Sequence, residues 1–113
     1  MMVTDRLHIE VVDATSGRWA TGLRVDVFAL GASARKLCSA IVNAEGVVDD
    51  PVLAESMLPG EYEVVFHVGP FFAQRVQLSG RPFLDRVPFR FRIAGRGYRL
   101  PVRVAPWEFS LAH

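Results

Sequence analysis

The chain has 113 residues, half of them hydrophobic, and 13 Lys plus Arg against 12 Asp plus Glu leave a net charge of +1. That length suits one compact domain, residues 1–113, and that composition excludes a disordered chain. The balanced charge offers no basic stripe for nucleic acid, and no run approaches the roughly 20 apolar residues of a membrane span. The opening MMVTDRLHIE has no apolar core of a secretory signal, so the expected setting is the cytoplasm. Cys38 is the one cysteine; it cannot close an internal disulfide and reads as a buried small hydrophobe.

Strand signals dominate in chain order. LHIEVVD, Leu7 to Asp13, is an apolar, β-branched run stopped by Asp13 and the turn-forming TSG. LRVDVFAL alternates, with Leu23, Val25 and Val27 on one face and Arg24 and Asp26 on the other. RKLCSAIVN reads as the next strand and AEG as the turn that closes it. In DDPVLAESML, Pro51 can open a short helix, and Pro59–Gly60 ends any element there. EYEVVFHV is a strong strand, and the mixed apolar spacing of GPFFAQRVQL suits a turn or two of helix. VPFRFRI alternates with Pro88 inside it, which predicts an edge strand. YRLPVRV places Arg99, Pro101 and Arg103 on one face, opposite Tyr98, Leu100, Val102 and Val104. WEFSL is a last short strand, and SGRP and IAGRG are turns. Seven or eight short strands with one short helix predict an all-β, two-sheet β-sandwich.

These elements resemble the transthyretin and 5-hydroxyisourate hydrolase family. LHIEVVDATSGRWATGLRVDVF is similar to its first two strands, with their L-x-x-[HK]-V-x-D and G-x-P-A patterns, and Trp19 stands at the family's Pro. NAEGVV looks like its acidic-Gly turn, GEYEVVFHVGPFF like the strand and helix that follow, and PFLDRVPFRFRIAGRGYRLPVRVAPWEFSL like its last three strands. The resemblance implies a transthyretin-like fold and a homotetramer, a dimer of dimers with a channel between the two pairs. The outward faces of the first strand (Glu10, Val12) and of the strand holding Arg99, Pro101 and Arg103 would line that channel. Trp107 and Phe109 would pack between subunits.

The hydrolase features fall on altered residues. The family's first-strand histidine falls on Glu10, the arginine after the acidic-Gly turn on Val47, and the second histidine of H-Y-H-V-P-L on Arg99. The closing Tyr-Arg-Gly-Ser begins at Ala112 and His113, and its Gly-Ser has no counterpart. Ring opening by water needs a neutral imidazole and a fixed cation for the developing oxyanion. With every matched imidazole gone, ordinary hydroxyisourate hydrolysis is not expected. The carrier's lysine is replaced too, so hormone transport is not implied.

Two readings stay open. In one the protein is an enzyme opening a cyclic, anionic, non-purine substrate, with Glu10 and Arg99 as catalytic residues. Val12, Val47, Pro101, Arg103, Ser110 and His113 would then form the substrate-binding wall. Arg103 stands where the family is apolar, so either an anionic ligand neutralises it, or its side chain reaches out to solvent or to Glu108. In the other reading the channel is a non-catalytic ligand pocket or a scaffold interface. The expected partner is a small-molecule ligand, with no nucleic acid or membrane partner in either reading. No cofactor is expected, and His8 and His67, lying inside strand patterns without a ligand-spaced partner, give no metal site.

Overall fold

The computed structural model describes residues 6–54, 57–75, 84–94 and 97–111. His113, Ala112 and the SGRP turn lie outside the described residues. Eight strands are present among them: β1 Leu7–Asp13, β2 Arg18–Trp19, β3 Arg24–Leu30, β4 Ala34–Ile41, β5 Gly60–His67, β6 Arg86–Ile93, β7 Tyr98–Ala105 and β8 Glu108–Leu111. The expected helix is α2, Val68–Arg75, and a single turn, α1, spans Pro51–Ala54. Asp50 caps that turn by accepting the Val52 amide at 2.9 Å.

The strands form two four-stranded sheets, in the orders β2-β1-β7-β8 and β4-β3-β5-β6. All pairings are antiparallel except β1 with β7, which is parallel. Pro88 falls in β6, an edge strand, where its missing N–H interrupts no second ladder. The inward residues of the strands, among them Ile9, Val11, Val25, Val27, Val64, Phe66, Val102 and Val104, form the core between the sheets. Phe72 of α2 is fully buried with them.

Strand alternation decides which residues this core excludes. β1 alternates strictly between buried and part-buried, so His8, Glu10 and Val12 face away from the core. On β7 the outward residues are Arg99, Pro101 and Arg103. Two turns hold the ends of this surface. Asp13 accepts the Thr15 amide and the Thr15 and Ser16 hydroxyls, and Gly17 takes φ 73°, a conformation glycine adopts without steric cost. Asn43 accepts the Glu45 and Val47 amides. Gly46 sits at φ 81°, where a Cβ would fall 2.1 Å from the Trp19 ring.

One sequence expectation, that for Cys38, is corrected, and other residues are placed by contacts that strand alternation does not show. Phe109 is part-buried and packs against the core at Phe66, ring centroids 5.2 Å apart, while Trp107 is 62% exposed in the single chain. Cys38 is only part-buried; burial and the nearby carboxylates of Asp50 and Asp26 push its thiol up to about 11, so it stays a thiol at neutral pH. Asp26 points outward from β3 yet is buried.

Asp26 is covered by partners. His67 Nε2 lies 2.8 Å from its carboxylate, Arg24 donates at 3.2 Å, Ser39 donates its hydroxyl, and Lys36 stands 3.9 Å away. Burial pushes the Asp26 pKa up, but the hydrogen bonds from Ser39, His67 and Arg24 outweigh it and hold the group at about 2 against an ordinary 3.8. A pKa depressed by folding adds stability that is complete above the unfolded value and lost as pH falls through the folded one. Acid titration of unfolding is therefore expected to show a loss of roughly 2 kcal/mol between about pH 4 and pH 2. In Asp26→Asn that part of the slope disappears; an unchanged slope would show that Asp26 is not held by these bonds.

Candidate active site

The parallel register of β1 and β7 sets His8 beside Arg99, Glu10 beside Pro101 and Val12 beside Arg103. All six side chains project from one face. β8 pairs Ser110 with Arg103, so Ser110 joins that face. From the other side of β1, Val47 meets Glu10 in an isolated bridge, fixed by Val11 N–Gly46 O at 2.9 Å and Val48 N–Ile9 O at 3.0 Å. Seven of the eight residues singled out from the sequence thus share one surface. The eighth, His113, lies outside the described residues.

Glu10 is the junction of this surface. Its Oε1 accepts from Arg99 Nη2 in a short contact and lies 2.9 Å from His8 Nε2. The hydrogen bond from Arg99 lowers the Glu10 pKa below the ordinary 4.5; burial opposes it and the bond from His8 adds to it. Glu10 is therefore a carboxylate at neutral pH. Its 18% exposed side chain contrasts with Arg99, 70% exposed in the lone chain. Because an ionised carboxylate only accepts, Nε2 carries the proton in whichever tautomer of a neutral imidazole makes this contact, and Nδ1 is then the lone-pair nitrogen.

His8 was read only as a strand histidine without a ligand-spaced partner, and the structure brings its imidazole onto the outer face beside Glu10. Strand period supplied the signal: positions 8 and 10 must share a face. Beside His8 lies a recess of about 180 Å3 lined by Arg6, Val47, Asp49, Asp50 and Leu53 among others. Its wall at Val47 is apolar. Arg103 makes no hydrogen bond or ion pair with another described residue, so the alternative of a pair with Glu108 is not found. Among the described residues no group of three or more His, Cys, Asp or Glu could hold a metal ion.

The fold and this surface define a transthyretin-type sandwich carrying an imidazole, a carboxylate and a guanidinium on its first and seventh strands. The HIUase/Transthyretin family model matches residues 7–112, and the chain belongs to that family. It is 36% identical to 5-hydroxyisourate hydrolase 2 of Rhizobium meliloti, across 97% of this chain and 96% of that one. It is 37% identical to the 5-hydroxyisourate hydrolase of Mesorhizobium japonicum, across 93% and 88%.

Among solved structures, an (S)-allantoin synthase superposes with TM-score 0.85 at 30% identity. The match covers 98% of this chain and 44% of that one, so this chain spans less than half of it. The Klebsiella pneumoniae 5-hydroxyisourate hydrolase gives TM-score 0.80 at 23% identity, across 96% of this chain and 97% of that one. Transthyretin from Sparus aurata gives 0.79 at 17%, across 94% and 93%. The last two establish the shared fold.

Removing Arg99 takes away the strongest influence on Glu10. Carboxyl-carbon NMR titration of Arg99→Ala is expected to move the Glu10 midpoint upward, toward 4.5. A midpoint that does not move would mean that the two side chains do not meet in solution.

Proposed function

We propose that this protein is a 5-hydroxyisourate hydrolase whose imidazole comes from His8. The expectation of a non-purine enzyme or a non-catalytic binder is overturned by relatives named 5-hydroxyisourate hydrolase. Six of them are 31–37% identical, each across more than 90% of this chain. The observation that carries the reading is the 2.9 Å contact of His8 Nε2 with Glu10. It returns to the outer face of β1 the group whose absence argued against hydrolysis.

The chemistry follows from the geometry. Glu10 holds the Nε2–H of His8 and stabilises the imidazolium that forms, so Nδ1 can take a proton from water. The hydroxide attacks a ring carbonyl carbon, and charge develops on its oxygen. Arg99 donates to Glu10 through Nη2, and its remaining N–H groups supply a fixed cation for that oxyanion. The C–N bond then breaks, and the imidazolium returns its proton to the leaving nitrogen. Arg103, one step along the same face, carries a guanidinium to receive an anionic part of the substrate. Val12, Val47, Pro101 and Ser110 form the surrounding wall.

The same reading includes a homotetramer in which two such faces close a channel. Arg99 is exposed in the lone chain, and closure would exclude water from it and strengthen its action on the oxyanion. No described helix is long and apolar enough to cross a membrane.

Decay of 5-hydroxyisourate, followed by its ultraviolet absorbance, tests the assignment. The wild-type chain is expected to accelerate decay, with His8→Gln lowering kcat by about 10²–10⁴-fold and Glu10→Gln by about 10²-fold or more. A wild-type rate equal to the uncatalysed one would reject the function. A fast His8→Gln variant would retain the function but remove His8 from it.

A further inference from the structure

A second cluster of polar side chains lies on the outer side of the other sheet. A cavity of about 230 Å3 opens between the start of β3, the end of β5 and α2, lined by Gly22, Arg24, His67, Phe71, Gln74 and Arg75 among others. That volume exceeds the roughly 30 Å3 of one water severalfold. Arg75 is locked in place there. Its Nη1 donates to the Phe71 carbonyl and its Nη2 to the Thr21 carbonyl, each at 3.1 Å, and the guanidinium stacks on the Phe71 ring at 4.0 Å. Gly22 makes room for it: at φ 97°, a Cβ there would fall 2.5 Å from Arg75 Nη2.

The cavity carries more positive than negative charge. Asp26 is already matched by Arg24, by Lys36 and by the hydrogen bond from His67. Arg75 has two carbonyl partners and, among the described residues, no carboxylate. A guanidinium has five N–H groups. Arg75 commits two to carbonyls, and Arg24 donates through Nε alone. Fixed, unmatched donors in a concave space favour an oxyanion.

We propose that this cavity is a binding site for a small oxyanion, separate from the His8 surface. Arg24 and Arg75 supply charge, and the exposed Gln74 lines the cavity with them. The ligand class is a phosphate or a small carboxylate, which share the oxygen acceptors these donors recognise. The site does not depend on the hydrolytic reading.

The test titrates sodium phosphate, and in parallel sodium acetate, into the full chain at an ionic strength held constant with sodium chloride. The thermal midpoint is followed, since a ligand of the native state raises it by mass action. A saturable rise with phosphate, with acetate or with both is expected, and which anion gives it separates the two sources. Arg24→Gln and Gln74→Glu are each expected to weaken binding about tenfold or more, while Arg99→Gln leaves it unchanged. Gln74 is exposed and makes no hydrogen bond among the described residues, so Gln74→Glu reads charge and not folding. No saturable rise with either anion, equal binding in Gln74→Glu, or a loss in Arg99→Gln would overturn the site.

Discussion

Glu10 is where the candidate chemistry of this protein converges. Its carboxylate meets an imidazole two residues back on its own strand and a guanidinium from the neighbouring one. A carboxylate so placed stays ionised, fixes which nitrogen of His8 bears the proton, and keeps Arg99 turned toward the same spot. Parallel pairing of β1 and β7 is the structural condition for this. It sets residue 8 against 99 and 10 against 101, so one step of register slip would put the charged residues in the core.

The sandwich around this contact explains why the surface is available. Alternation fills the space between the sheets with Ile9, Val11, Leu100, Val102 and Val104 and leaves the complementary positions with no core to enter. The Asn43 turn brings Val47 against Glu10, and the β1–β2 turn closes on Asp13. Two carboxylates on opposite sheets also behave differently. Asp26 is enclosed by four partners and serves the fold, whereas Glu10 shares its charge with side chains that remain open to a ligand.

Much of the fold was legible because its strands follow period two so closely. LHIEVVD and YRLPVRV gave their inward and outward residues directly, and Pro88 gave an edge. What the pattern could not give was contact across long sequence distance. Asp26 reads as an outward polar residue, and its burial depends on His67, 41 positions away. Nothing in WEFSL points Phe109 at Phe66 until β8 brings the two rings together. His8 was missed for a different reason: comparing positions one for one with the family's histidines finds Glu10 and Arg99, and passes over an imidazole two places away on the same strand face. The substitution pattern alone argued for lost hydrolysis, and the relatives' similarity across nearly the whole chain overturned that.

The most direct test is the pH dependence of kcat/KM for 5-hydroxyisourate in the wild-type chain and in His8→Gln. A base that must be neutral gives a rate that climbs as an imidazole loses its proton, between about pH 5 and 8. The account predicts that limb in the wild type and a low, flat profile once His8 is replaced. An identical limb in both would mean that the working base lies elsewhere and that the Glu10 contact is only a brace between two strands.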